Sequence, residues 1–294
     1  MRIIGTRGSK LALWQANYVK SQLAAKGIES RLEIIKTQGD RIQHLGFDKL
    51  EGKGFFTKEL EDALLDGRID LAVHSLKDLP TQQPDGLCLA ALSYRADPAD
   101  CLLIHPEAHD PQQPFQLKAG ARVGTSSARR KSQLLALYPG LEMVDIRGNV
   151  PTRANKARMA EVDAVVLAAA GIERLELELD GLIQVRLSPR EFIPAPGQGV
   201  MAIQVKTDRI ELRKELAILH QLEVGECTNV EREVLRLLEG GCQMPLGVHC
   251  ELDQLGNFHV RAALADHWQA PIRRARLSQT THAGLAEAIV QQLR

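Results

Sequence analysis

The sequence predicts an α/β protein built from two α/β units and a smaller α+β segment at its C-terminal end. Three observations lead there. Strand-like and helix-like stretches alternate from Arg2 to His74 and again from Ala121 to Ala168. Two polar, proline-containing breaks, "SYRADPAD" running on to "HPEAHDPQQPFQ" and then "PREFIPAPGQG", bound the second of these stretches. After Thr207 the pattern changes to helix, a Cys-containing turn and alternating strands. A length of 294 residues matches about two domains, or three small ones, and 44% hydrophobic with 25% charged residues is enough to build a core.

Each element has a local reason. Arg2 to Gly5 reads as a short strand, and Ser9 is placed to cap a helix from Lys10 to Lys26 that Gly27 ends. Arg31 to Lys36 is a second strand, Thr57 to Leu65 an amphipathic helix stopped by Gly67, and Asp70 to His74 a β-branched, apolar strand; this βαβ order implies a largely parallel sheet. The second unit reads as strand Ala121 to Gly124, helix Ser127 to Leu137, strand Glu142 to Ile146, helix Thr152 to Ala160 and buried strand Ala164 to Ala168. Val200 to Val205 is a strand that either returns to the first unit or opens a new one. Leu246 to Leu252, Phe258 to Leu264 and Ile272 to Leu277 alternate as an antiparallel meander, the first two joined through "QLGN", before a closing helix.

Charge and cysteine content narrow the function. Lys plus Arg and Asp plus Glu are each 37, so no overall field draws the chain to nucleic acid or an anionic membrane. The longest apolar stretch, near Val162 to Ile172, is broken by Asp163 and Gly171 and is shorter than the roughly 20 residues a bilayer needs. The start, "MRIIGTRGSK", lacks the apolar core of a secretory signal, and the chain is expected to be cytoplasmic. Five cysteines without a C-x-x-C pair are expected to be reduced thiols.

Ligands of open α/β sheets bind beyond the carboxyl ends of the strands, so what each strand runs into is informative. The strands run into "TRGS", "SLKDLP", "TSSARRK" and "RGNVPTR". These loops carry Arg7, Lys77, Arg129, Arg130, Arg147 and Arg153, and two of them open helices whose free N–H groups favour anions. A solvated helix face also carries exposed arginines, but cations gathered at strand ends in a neutral chain fit carboxylates, which match the guanidinium fork. No P-loop motif is present. Asp78, between Lys77 and Pro80, is either a turn-capping carboxylate or a group that handles protons and stabilises a cation. Cys242 lies in "EGGCQMP", where a diglycine and a proline can present a thiol; with His249 and Cys250 a zinc site is conceivable but lacks a fourth ligand.

The ordered motifs "TRGSKLALWQA", "KTQGD", "GKGFFTKELE", "DLAVHSLKDLP", "GTSSARRKSQL", "DIRGNVPTR", "LAAAGIERL", "PAPGQG" and "EGGCQMPLG" span nearly the whole chain, which on them resembles the porphobilinogen deaminase, or hydroxymethylbilane synthase, family. The resemblance implies two domains similar to type II periplasmic binding proteins with a cleft between them, and a smaller α+β third domain: domain 1 at 1–96 and 197–212, domain 2 at 97–196, domain 3 at 213–294. It implies a transferase that deaminates four porphobilinogen molecules and joins them head to tail into hydroxymethylbilane, in tetrapyrrole (haem) biosynthesis. The resemblance further implies that a dipyrromethane cofactor is joined by a thioether to Cys242 and that Asp78 is the catalytic carboxylate. Arg7, Arg129, Arg130, Arg147, Arg153 and Lys77 meet the carboxylates of cofactor and substrate, with Ser9, Ser75, Thr125 and Ser127 as further hydrogen-bond donors. Porphobilinogen and the growing oligopyrrole are the partners, the product passes to the next tetrapyrrole enzyme, and a monomer without metal, nucleic acid or membrane is expected. His44 and the "GVHC" run depart from the family pattern, and Cys250 adds a second thiol.

Overall fold

A computed structural model describes residues 1–37, 57–241 and 243–294. Contacts divide the chain into one unit of residues 1–96 and 199–226 and another of 97–198 and 227–294.

In the first unit, β1 (Arg2–Thr6), β2 (Ser30–Ile34), β3 (Leu71–Ser75) and β4 (Leu87–Leu92) combine with β10 (Met201–Lys206) in a sheet of order β2-β1-β3-β10-β4. The helix α1 (Lys10–Ala24) begins where the sequence placed it, with Ser9 Oγ accepting from Ala12 N–H at 3.2 Å. Its exit is a Schellman turn: Gly27 has φ +75°, Gly27 N–H donates to Ala24 and Ile28 N–H to Leu23. One sheet face packs under α1 through Ile4, Val19, Leu23, Val73 and Ile203. The other is covered by α2 (Lys58–Leu65) through Leu60, Leu64 and Ala72. Burial on both faces explains why β3 reads as a continuous apolar run.

The prediction of a largely parallel sheet needs correcting. β1 is parallel to β2 and β3, but β10 is antiparallel to both β3 and β4, so the sheet is mixed.

One sheet of the second unit contains β5 (Asp100–Ile104), β6 (Arg122–Gly124), β7 (Glu142–Val144), β8 (Ala164–Ala168) and β9 (Ile183–Arg186) in the order β7-β6-β8-β5-β9. β5 was not anticipated between its polar flanks. Along it Leu102 and Ile104 enter one core with Leu134 and Phe192, whereas Cys101 and Leu103 enter the opposite core with Ala154 and Ile172. The helices α3 (Ala128–Leu137), α4 (Val150–Arg158) and α5 (Ala169–Arg174) follow β6, β7 and β8. After β10 come α6 (Ile210–Leu216) and α7 (Leu222–Leu237), then the antiparallel sheet β11 (Leu246–Leu252), β12 (Phe258–Leu264) and β13 (Arg273–Gln279), and last α8 (Leu285–Leu293). Val234 of α7 and Ile289 of α8 pack on Val248, Val260 and Ala275 of this sheet. Among the described residues no helix is long and apolar enough to cross a membrane.

Candidate active site

At the carboxyl ends of β1 and β3 the first unit holds a cavity lined by Arg7, Ser9, Gln15, His74, Ser75 and Asp78, among others. Its walls follow from local structure. Ser9 must sit at the mouth because its hydroxyl caps α1. β3 ends at Ser75 and turns at once into a single 3-10 turn, Leu76–Asp78, which buries Leu76 and leaves Asp78 exposed and Lys77 half-buried. Gln15, buried on α1, donates from Nε2 to Ser75 Oγ at 2.9 Å and fixes that hydroxyl. His74 is buried beneath: desolvation, opposed by a hydrogen bond to Gln204 and reinforced by Arg7, pulls it down to about 4, so it is neutral at physiological pH.

The second unit gathers the other predicted residues at the ends of β6 and β7. Thr125 is buried, its N–H donating to Val144 and its Oγ1 accepting from Ser127 N–H, and Ser127 Oγ caps α3 by accepting from Arg130 N–H at 3.4 Å. Ser126, which the sequence did not single out, ties this turn to the next one: its Oγ donates to Ile146 O at 2.7 Å and accepts from Ile146 N–H at 3.1 Å. Arg147 follows directly and is half-buried. Arg153 donates from Nε to Gly148 O at 2.8 Å, which sets the plane of its guanidinium.

Arg129 and Arg130 differ from the open rim expected of them. Both are buried on Asp100, an acid of β5 with no exposed surface. Arg129 Nη1 donates to Asp100 Oδ2 at 2.7 Å and to Ile193 O at 2.9 Å. Arg130 reaches Asp100 Oδ1 through Nη2 at 2.6 Å and Nε at 3.1 Å, and Val166 O through Nη1 at 3.0 Å. Burial pushes the Asp100 carboxyl up, but the two guanidinium groups outweigh it and hold the group well below the usual carboxylate range. Two guanidinium groups against one carboxylate leave the cluster one positive charge. Asp100 escaped notice because a lone acid in a polar break carries no local signal. The rule of reading strand ends, applied to β8, would have found one more cation: Arg174, buried at the end of α5.

Cys242 and His44 lie outside the described residues. Among the described neighbours of Cys242, Glu239 adopts a left-handed φ of +52° and Met244 N–H donates to Gly241 O. Cys250 is a buried thiol on β11. Its N–H donates to Glu231 Oε1 at 2.8 Å, and His249 Nδ1 lies 3.5 Å from the same oxygen. Among the described residues no three His, Cys, Asp or Glu side chains converge as a metal site.

Residues 2–214 match the family described as "Porphobilinogen deaminase, dipyromethane cofactor binding domain", and residues 211–292 match "Porphobilinogen deaminase, C-terminal domain". The porphobilinogen deaminase of Nitratidesulfovibrio vulgaris (strain Hildenborough) is 46% identical over 267 residues, which is 90% of this chain and 83% of that protein. That of Sulfurimonas denitrificans is 45% identical over 265 residues, 89% of this chain and 83% of its own length. Among solved structures, a periplasmic substrate-binding protein of an ABC transporter from Coxiella burnetii aligns with 76% of this chain and 94% of its own at 13% identity and a TM-score of 0.44. With both parts of the family matched in order and nearly the whole sequence covered, the chain belongs to the porphobilinogen deaminase family.

Proposed function

We propose that Asp78 is the carboxylate at which the deaminase reaction of this chain takes place, that Cys242 carries the cofactor, and that the strand-end cations receive the carboxylates of cofactor and substrate. Membership of the family brings porphobilinogen deaminase activity in tetrapyrrole biosynthesis and a dipyrromethane cofactor. The observation that carries the residue assignment is the cavity at the ends of β1 and β3, where Asp78 shares one wall system with Arg7, Ser9 and Ser75.

The residues fit the cofactor by the chemistry of their donors. A dipyrromethane presents acetate and propionate groups, and the turns after β6 and β7 offer Thr125, Ser127, Arg147 and Arg153, all donors, braced against one another through Ser126. When bound, the cofactor supplies the pyrrole primer on which the chain of rings is built. Arg7 and Lys77 hold carboxylates of the incoming porphobilinogen and orient it. Loss of ammonia leaves a cation on that substrate, and the Asp78 carboxylate stabilises it and accepts a pyrrole proton. Arg129 and Arg130 act as one charge with Asp100, keeping the start of α3 positive for anions. The reaction runs four times, each round releasing one ammonia, and one water then frees the four-ring chain and supplies its hydroxyl, giving hydroxymethylbilane, which passes to the enzyme that closes the ring. The enzyme works as a cytoplasmic monomer of three domains, at 1–96 with 197–212, 97–196 and 213–294.

Asp78→Asn tests this reading. It preserves shape and removes charge, so turnover falls by about 100-fold or more in protein shown by intact mass to carry its cofactor. Turnover near that of the parent would remove Asp78 from the reaction. In the same preparation, peptide mapping places the dipyrromethane adduct on Cys242; an adduct on Cys250 would reverse that assignment.

A further inference from the structure

Behind the cavity runs a buried chain of polar side chains that none of the roles above uses. β3 and β10 pair with His74 opposite Ala202 and Ala72 opposite Gln204, so His74 and Gln204 are diagonal neighbours on one sheet face. His74 Nε2 lies 3.1 Å from Gln204 Oε1. Gln204, which has no exposed surface, donates from Nε2 to Gln83 Oε1 at 2.8 Å and to Glu61 Oε1 at 3.4 Å. Gln83 in turn donates from Nε2 to Pro80 O at 3.0 Å.

The polarity of this chain is fixed from its far end. A backbone carbonyl only accepts, so the Gln83 amide must turn its nitrogen to Pro80 and its oxygen to Gln204. Gln204 must then turn its nitrogen to Gln83 and its oxygen to His74. An amide oxygen cannot donate, so the hydrogen between Gln204 and His74 belongs to His74 Nε2, and a neutral ring then leaves Nδ1 unprotonated. All three bonds point the same way, from the ring in the cavity wall to the carbonyl two residues beyond Asp78.

We propose that Gln204 is a positioning residue for the deaminase reaction: through Gln83 it holds the segment that follows Asp78, and as an acceptor it fixes the neutral, buried His74 ring in the cavity wall as the Nε2–H tautomer. The proposal rests on the reading of Asp78 as the reacting carboxylate. A protonated imidazole sharing a small cavity with that carboxylate would compete with the substrate cation for it. Burial and the charges around the ring keep it uncharged: Arg7, just after β1, disfavours a second cation, while Glu61, from α2, is engaged by the Gln204 amide and not by the ring.

The test uses cofactor-loaded protein, with loading checked by intact mass in every variant. Gln204→Leu, Gln204→Glu, Gln83→Ala and Asp78→Asn are compared with the parent for kcat and KM, and the His74 ring nitrogens are followed by 15N NMR. The parent ring is expected as the Nε2–H tautomer. Gln204→Leu mixes the tautomers and lowers kcat by about tenfold or more with KM within about twofold, because the reacting group is displaced and binding is not. Gln83→Ala, at a half-buried site, keeps the fold if Gln204→Leu does not, and lowers kcat in the same sense. Gln204→Glu does not restore turnover: its carboxylate accepts from His74 and shifts that titration upward, but it has no hydrogen to give Gln83 Oε1, and a Gln83 amide inverted to donate to it lets go of Pro80 O. Parent-like kcat in Gln83→Ala and in folded Gln204→Leu, or a parent ring found as Nδ1–H, overturns the proposal while Asp78→Asn still loses turnover. If Asp78→Asn keeps turnover, the Asp78 reading fails first and this proposal with it.

Discussion

At the scale of single residues, two buried ionisable groups give the fold opposite ends of its acid sensitivity. His74 has a folded value of about 4 against an ordinary 6.5. Between these values the unfolded chain binds the extra proton, so stability is full above 6.5 and falls as pH drops toward 4. The slope approaches about 1.4 kcal/mol per pH unit and the whole window is worth on the order of 3 kcal/mol. Glu61, raised mainly by burial, works with the opposite sign just above the usual carboxylate range and takes back part of that slope. Asp100 is a depressed acid. Its contribution is present above the ordinary carboxylate value of 3.8 and is lost only below it, outside the His74 window. Urea unfolding of the parent and of His74→Asn at a series of pH values checks this: the variant loses the decline between 6.5 and 4 and keeps the steeper loss below it.

At the scale of elements, what matters is how closely one backbone approaches another. β11 lies against the entry to "PAPGQG", with Val248 N–H donating to Pro194 O at 2.9 Å. A Cβ on Gly247 would stand 2.5 Å from Ile193 O and 3.1 Å from Gln133 Nε2. That carbonyl is already the acceptor for both Arg129 and Gln133, so it cannot retreat without loosening the buried arginine. Gly247→Ala is expected to destabilise by roughly 1–3 kcal/mol, the range for forcing an extra group into a packed site. The midpoint of chemical denaturation measures it. A control substitution at Gly256, a left-handed turn with nothing within 4 Å, should show only the strain of its φ and leave the Arg129 contacts intact.

For the whole molecule, the organising fact is that the chain leaves the first unit at Ala96 and re-enters it at Gly199. The two passages are held as a pair. Ala96 N–H donates to Gly199 O, and the Gln198 amide nitrogen reaches Pro98 O, Ala99 O and Asp100 Oδ1. Glu231, fully buried on α7, accepts from Gly197 N–H at 2.7 Å and from Cys250 N–H at 2.8 Å, so one carboxylate joins the return passage, a helix and β11 within the second unit. Glu231→Ala strands two buried N–H donors, each worth about 1–3 kcal/mol when left unpaired, and stability should fall by a sum of that order. Hydrogen exchange separates this from a general loosening. The Gly197 and Cys250 amides should lose protection well beyond amides at the centre of β1; equal loss everywhere would refute a local pin.

The sequence by itself determined what depends on neighbours a few residues away. Ser9 and Ser127 had to cap helices because they precede apolar periodic stretches, and Gly27 had to end α1 because only a left-handed residue closes that turn. The motifs at the strand ends placed Arg7 and Ser9 after β1, and Ser75 and Asp78 at and after the end of β3, and all four line the cavity. Tertiary structure decided what depends on partners far along the chain. Arg129 looks solvated in "TSSARRK" and is buried because Asp100 on β5, 29 residues away, and the Ile193 carbonyl meet it. Nothing near His74 along the chain names the partner of its ring, which is Gln204, 130 residues away. The mixed character of the first sheet has the same origin: a strand's periodicity reports which side chains are buried, but its direction and neighbours are set by long-range pairing, to which local hydrophobic patterns are blind.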